Sequence, residues 1–404
     1  MINRKTLKCV SCGTRVTTRT GIGHATVQKH KFPCPTCKIE IGFLLNVNQE
    51  TPDLKYEEPS NAKWDDAAGD SANEILFYPE VMIPKDLQPP ISPFVATFGN
   101  FKNIEEYQKE EAVRRLSKDK LWPALQRAYV HFENGNLDLM AKECQAITSG
   151  MPVLKDQEDR GGWIFAVTRQ FFDRFVAYPG RAAKIEASIQ AATRKSEKEL
   201  RALANEYVTS GRMAALWKEI KSVRFQFLQL YESLLPFLMV YRYWKDHLRN
   251  TDDYLVSTKN FEDLRSFYVD TVETSFRLLV IGLAVELIAT TGAPRVKTKA
   301  GEEDIWWFEQ LNNGIKDGQL KKYPVFDRLT AALDLRLRNG VGHHSAHYDV
   351  TTDEIVYTKA DGPKLHEAHL PHTQFVRKVF EAYCAFELLT VYFQWLFVAG
   401  GGKL

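Results

Sequence analysis

The sequence has no Walker A segment, no Gly-x-Ser-x-Gly elbow and no His-Glu-x-x-His pair. These absences remove the common phosphate-cradling loop, the α/β-hydrolase nucleophile and the zincin metal site from consideration. No low-complexity tract and no convincing internal repeat is present, so a fibrous or solenoid architecture is not indicated. The N-terminus lacks the apolar core of a secretory signal. Two apolar runs, Leu278–Ala289 and Leu388–Ala399, fall short of the ~18–20 residues that cross a bilayer, and the first contains Glu286. Both read as buried core helices, so the expected location is the cytoplasm, with no membrane contact. Charge of one sign is lacking too: the net charge of +2 over 404 residues says little about partners.

The distribution of charge says more. Residues 1–40 carry eight basic side chains (Arg4, Lys5, Lys8, Arg15, Arg19, Lys29, Lys31 and Lys38) against Glu40 alone. Residues 51–75 then carry seven acids against Lys55 and Lys63. A small basic module is followed by an acidic connector.

Cysteine is scarce, six in all, yet four of the six form two Cys-x-x-Cys pairs, Cys9/Cys12 and Cys34/Cys37. In a reducing compartment such pairs read as metal binding rather than as disulfides. Short β-rich pieces at Thr14–Thr20 and Ala25–Lys29 lie between them, so residues 1–45 look like a zinc ribbon. Four thiolates complete a tetrahedron around a structural Zn²⁺, without which so small a unit could not fold. His24 and His30 could substitute as ligands, but four cysteines leave no vacancy. The ribbon serves either as a scaffold for protein contact or as a nucleic-acid contact, the latter favoured by its basic charge.

Residues 46–100 are polar and rich in proline, and read as a linker with an extended, ordered arm near 75–83. From about 103 onward helices dominate, giving a mainly α fold with a helical middle region over 101–212 and a helical domain over 213–404. The patterns place helices at Ile104–Ser117, Leu121–Asn134, Leu137–Ile147, Arg181–Val208, Met213–Leu248, Phe261–Ala289, Asp304–Lys316, Tyr323–Arg338 and His372–Val398. Gly161-Gly162 and Tyr178-Pro179-Gly180 mark breaks. A small β-hairpin is expected around Thr351–Glu354. Trp306, Trp307 and Phe308 read as core, as do Cys144 and Cys384.

The most informative stretch is Arg338-Asn339-Gly340-Val341-Gly342-His343-His344. Phe326, Leu329, Leu333 and Leu337 run into it with helical spacing, so Arg338 should occupy the last turn of a helix that Gly340 ends. A turn at Gly342 would let His343 fold back toward Arg338. An imidazole that moves a proton beside a guanidinium that holds a phosphoryl oxygen suits phosphate chemistry. The plainer reading is that Arg338 pairs with an acid such as Asp334 and neutralises the helix C-terminus.

These residues resemble the R-N-x-x-x-H form of the motif of the HEPN superfamily. Its members are helical domains, and many are metal-independent ribonucleases of toxin and antiviral systems. Arg338 and His343 match the defining positions, and Asn339 matches the polar residue that often follows the arginine. The resemblance covers roughly the C-terminal half. It implies an HEPN-like helical bundle and an endoribonuclease that needs no metal for catalysis. His343 would be general acid or base, Arg338 would stabilise the phosphate, and Asn339 would orient His343 or a phosphate oxygen. RNA would be the substrate, and a homodimer would form through the C-terminal helical domain. It also implies a toxin or antiviral defence role, with a trigger or partner protein acting through the ribbon and middle helices. The alternative is a non-catalytic nucleic-acid- or protein-binding scaffold that works through the zinc ribbon.

His344 and His347 are possible accessory residues, read either as polar loop contacts or as a His-x-x-His metal pair joined by Asp349. His366, His369 and His372 form a second spaced cluster, from which a metallohydrolase could be built. Glu273 and Glu286 on the apolar central helix need partners, and Glu286 is a candidate to pair with Arg338.

Overall fold

The computed structural model describes residues 2–23, 25–48, 51, 53–65, 73–85, 87, 104–148, 157–176, 181–243, 253–257, 259–298, 301–342, 346–361 and 364–402. The chain forms two units, neither continuous in sequence. The first comprises Met1–Ile104, Gln229–Phe267 and Arg336–Phe380, and the second Glu105–Leu228, Tyr268–Leu335 and Glu381–Leu404.

Alternation of apolar and polar residues builds the first unit's N-terminal part. In strand Val27–Pro33, Gln28, His30 and Phe32 turn inward while Val27, Lys29 and Lys31 stay exposed. Seven strands arise in this way: β1 Ile2–Cys9, β2 Arg15–Gly21, β3 Val27–Pro33, β4 Glu40–Val47, β5 Leu54–Tyr56, β6 Ala62–Trp64 and β7 Glu74–Phe77. One sheet has the order β6-β1-β2-β7 and the other β3-β4-β5. All neighbours are antiparallel except β2 and β7, which pair in parallel with Thr18 opposite Ile75. Both sheets face one core of Leu7, Val16, Phe32, Ile41, Phe43 and Phe77. Strands β5 and β6 fall within the stretch expected to be linker; they close the sheet edges, and Trp64 and Tyr56 pack edge to face at 5.1 Å. The expected arm is present as β7 and the short strand Ile83–Pro84, which pairs with Tyr254–Leu255.

The same unit contains a three-stranded sheet of His347–Asp349, Glu354–Asp361 and Lys364–Pro371. The first two strands are the expected hairpin. The third was not legible as a strand, because its histidines and terminal proline carry little β propensity.

The second unit is helical. Phe261–Thr291 begins in the first unit and continues into the second, where Leu278, Leu279, Ile281, Leu283 and Ala284 are all fully buried. Over 278–285 the helix is apolar on every side, and the protein surrounds it there. Helix His372–Ala399 is long and apolar enough to cross a membrane, but 72% of its most apolar window is buried inside the protein. Phe397 packs on Phe165 with ring centroids 4.7 Å apart, and Phe393 stacks on Trp217. Arg224 is buried in this unit, with Nε and Nη2 donating to the Glu387 carboxylate at 3.0 and 2.8 Å.

Several helix boundaries differ from the pattern-based expectation. Helix Gln157–Phe172 runs straight through Gly161-Gly162. Gly161 is required there because a Cβ would sit 2.6 Å from the Phe397 ring. The expected helix from Met213 divides at Leu230 into Arg212–Gln229 and Tyr231–Tyr243, and Pro236 lies within the second piece. The expected helix Asp304–Lys316 is two helices, each started by a side chain that accepts a backbone amide: Asp304 from Trp307 and Asn312 from Ile315. The expected helix Tyr323–Arg338 is Asp327–Ala332 followed by Leu335–Gly342. At the break between them, the Asp334 carbonyl accepts from the Tyr268 hydroxyl at 3.1 Å. The expected break at 178–180 lies outside the described residues.

Candidate functional site

Each Cys-x-x-Cys pair opens the same turn. The Gly13 amide donates to the Cys9 carbonyl at 3.0 Å, and the Lys38 amide donates to the Cys34 carbonyl at 3.0 Å. The Cys9 amide reaches the Thr14 carbonyl at 2.9 Å, as the Cys34 amide reaches that of Ile39 at 2.8 Å. Both turns pass through a left-handed residue, Gly13 at φ +73° and Lys38 at φ +63°. That conformation is uncommon for lysine. Its recurrence in the second turn marks a geometry the site requires.

The four sulfurs lie within 4.8 Å of one another. Cys9 Sγ is 3.7 Å from Cys37 Sγ, and Cys12 Sγ is 3.5 Å from Cys34 Sγ. A disulfide requires ~2.05 Å. The edge of a tetrahedron with metal–sulfur bonds of ~2.3 Å is about 3.8 Å. The sulfurs therefore have the spacing of a ligand shell and are compatible with a metal site. Hydrogen bonding with the Thr14 side chain and amide holds the Cys12 thiol down at about 6, while burial and the other three cysteine sulfurs push the Cys37 thiol up, so the cluster favours the thiolate at Cys12 first. His30, considered as a substitute ligand, is instead a core residue, its ring 4.9 Å from Phe43 and 4.8 Å from Phe77. His24 lies outside the described residues.

Arg338 and Asn339 lie on helix Leu335–Gly342, one turn before its end. The helix continues through Gly340, contrary to the expectation that this glycine ends it. Gly340 serves close packing instead: an added Cβ would lie 2.2 Å from Tyr357 Cδ2 and 3.0 Å from the Thr358 carbonyl oxygen. Arg338 Nη1 donates to Asn339 Oδ1 at 2.9 Å, so the carboxamide orients the guanidinium. His343 and His344 lie outside the described residues, but their flanks are fixed. Val341 and Ala346 are buried on either side, and the Ala346 carbonyl accepts from Arg265 Nη1 at 3.5 Å. His347 is exposed and opens the hairpin opposite Val356.

The hairpin turn carries a cluster that the sequence did not announce. Asp353, at φ +59°, accepts from Lys259 Nζ at 2.5 Å and from the Tyr348 hydroxyl at 2.9 Å. Its carbonyl accepts the His372 amide at 2.9 Å. Burial holds Lys259 below the usual lysine range, opposed by Asp353, and pushes Tyr348 up, reinforced by Asp353. Asp349 caps the same turn, accepting the Thr351 amide at 2.8 Å.

The spaced histidines His366, His369 and His372 do not come together as a cluster. His366 and His369 are three apart on one strand, so they point to opposite faces, and His372 begins the next helix, fully buried. His369 lies between two carboxylates, 3.2 Å from Glu354 and 3.2 Å from Glu367. Glu286 accepts from the Ser188 and Tyr392 hydroxyls in place of the proposed arginine, and Glu273 accepts from Asn313 Nδ2. Phe308, Cys144 and Cys384 are buried as expected, while Trp306 is half-buried under the Arg212 guanidinium, 4.5 Å above its ring.

No protein-family model, curated protein or solved structure matches the chain.

Proposed function

We propose that the chain is a metal-independent endoribonuclease of HEPN type carrying a structural Zn²⁺ on Cys9, Cys12, Cys34 and Cys37. The observation that carries the catalytic part is the Arg338 guanidinium, oriented by Asn339 on helix Leu335–Gly342. His343 removes the proton from a ribose 2′-hydroxyl, and the 2′-oxygen attacks the adjacent phosphorus. Arg338 stabilises the charge that builds on the phosphoryl oxygens. The 5′-oxygen leaves and takes up a proton, giving a 2′,3′-cyclic phosphate and a 5′-hydroxyl. DNA, lacking the 2′-hydroxyl, resists. His344 and His347, which follow His343 in the sequence, serve as accessory groups. The zinc holds the β module together and takes no part in the chemistry.

One Arg–His pair is a thin catalytic set, so two protomers contribute their motifs across a helical interface, making the working form a homodimer. The resemblance that supports this reading also supports a cytoplasmic toxin or antiviral defence role, with the β module receiving a trigger.

The test is to incubate purified protein with total cellular RNA in EDTA, comparing wild type with Arg338→Ala and His343→Ala. Cleavage by wild type alone, leaving 5′-hydroxyl ends, is expected. Absence of cleavage by wild type, with candidate triggers added, or equal cleavage by His343→Ala, would overturn it in favour of a binding scaffold.

A further inference from the structure

The second unit contains a cavity of about 480 Å³, large enough for a small organic ligand. Its apolar wall is formed by Ile185, Leu329 and Leu388. Its polar wall is Glu286, held from behind. The Ser188 hydroxyl and the buried Tyr392 hydroxyl both donate to Oε1, the latter at 3.1 Å. Burial beside this carboxylate raises the Tyr392 phenol well above its usual range, so it remains a donor. Oε2 accepts no hydrogen bond from the described residues, and Glu286 forms no ion pair with them. Glu286 is half-buried, and this oxygen is open to a donor that enters the cavity.

The rim supplies the opposite sign. Lys184 and Arg328 are exposed there, and neither makes an ion pair with a described residue. Asp327 on the same rim brings the formal charge of the lining to zero. The lining is thus neutral overall but polarised, with one carboxylate on the wall and, at the mouth, two cations that outnumber Asp327.

From this arrangement we infer that the cavity binds a small zwitterion, its ammonium group on Glu286 and its phosphate or carboxylate on Lys184 and Arg328. A simple cation would meet Lys184 and Arg328 on entry, and a simple anion would meet Glu286 within. A molecule carrying both charges satisfies the two ends together. The site is independent of the ribonuclease reading.

Isothermal titration of the full-length protein tests this. The probes are phosphoethanolamine and γ-aminobutyrate, with ethylamine and methyl phosphate as single-charge controls. One-to-one binding of at least one zwitterion is expected, tighter than either control. Glu286→Gln, which still accepts from Ser188 and Tyr392, should weaken it roughly tenfold to a hundredfold. Arg328→Ala, an exposed change that leaves the fold intact, should weaken it as well. Binding of phosphoethanolamine but not γ-aminobutyrate would assign the rim to phosphate, and the reverse would assign it to carboxylate. The inference is overturned if neither zwitterion binds at millimolar concentration, if ethylamine binds as tightly, or if both variants retain wild-type affinity.

Discussion

Gly340 and Tyr357 are in direct contact: a Cβ on Gly340 would stand 2.2 Å from the Tyr357 ring, with the Thr358 carbonyl closing the other side at 3.0 Å. The backbone at Gly340 is helical, so alanine would ordinarily gain about 1 kcal/mol there. Packing reverses the sign. Gly340→Ala should cost ~1–3 kcal/mol as helix and strand separate. Tyr357→Ala in the same chain should recover part of that cost, because the obstructing ring is gone. Urea unfolding of the four chains measures the coupling. A Gly340→Ala variant as stable as wild type would sink the idea.

The cysteine cluster makes a second prediction. Purified protein should release one zinc per chain when its thiols are titrated, followed with a chromogenic chelator. Cys9→Ser or Cys34→Ser, at the two buried positions, should release less and expose the β module to protease. Structural zinc sites of this type contribute on the order of 10 kcal/mol to folding, so the module should lose its strand signal when stripped of metal. Full retention of the β signal in metal-free protein would remove the structural role.

The pairs of cysteines were legible because metal ligation needs only local spacing, and each Cys-x-x-Cys carries its own turn. The long helices were legible for the same reason, since their apolar periodicity is written in consecutive residues. Breaks at Leu230 and near Leu333 were not, because a leucine keeps the pattern intact while the backbone changes direction. Gly161 misled in the opposite sense: its meaning lies in Phe397, more than two hundred residues away. Strands β5 and β6, three residues each, were hidden in a polar stretch because edge strands need few apolar residues. Glu286 was recognised as a carboxylate needing partners, but Ser188 and Tyr392 are distant in sequence and could not be named from it.

Lys259 and Asp353, 94 positions apart, form the ion pair that holds the hairpin turn. The Lys259 side chain is only 9% exposed, so removing the countercharge leaves a buried ammonium. Asp353→Asn tolerates the left-handed backbone and still accepts from Tyr348, which isolates the charge effect. It should cost ~3–5 kcal/mol. Adding Lys259→Met should return most of the loss, since the buried ammonium left without its countercharge is then gone. Thermal unfolding of single and double variants decides it. Equal destabilisation in the double variant would show that the pair's charges are not what holds the turn.

His30 makes stability depend on pH. Burial between Phe43 and Phe77 holds its imidazole at about 3, against ~6.5 for an exposed histidine. Between those values the unfolded chain takes up a proton that the folded chain refuses. The contribution is therefore complete above pH ~6.5 and declines by about 1.4 kcal/mol per unit as pH falls toward 3. His30→Phe removes the titration and also two buried ring nitrogens that have no hydrogen-bond partner among the described residues. The variant should be at least as stable as wild type at pH 7. At pH 5 its advantage should be larger by about 2 kcal/mol, because only the wild type then carries the proton penalty. Protonation of the nearby cysteines in acid acts on both chains alike, so the difference between them isolates the histidine. Urea midpoints at the two pH values provide the measurement. An unchanged gap would mean that His30 is solvated in solution and that the aromatic core around it opens.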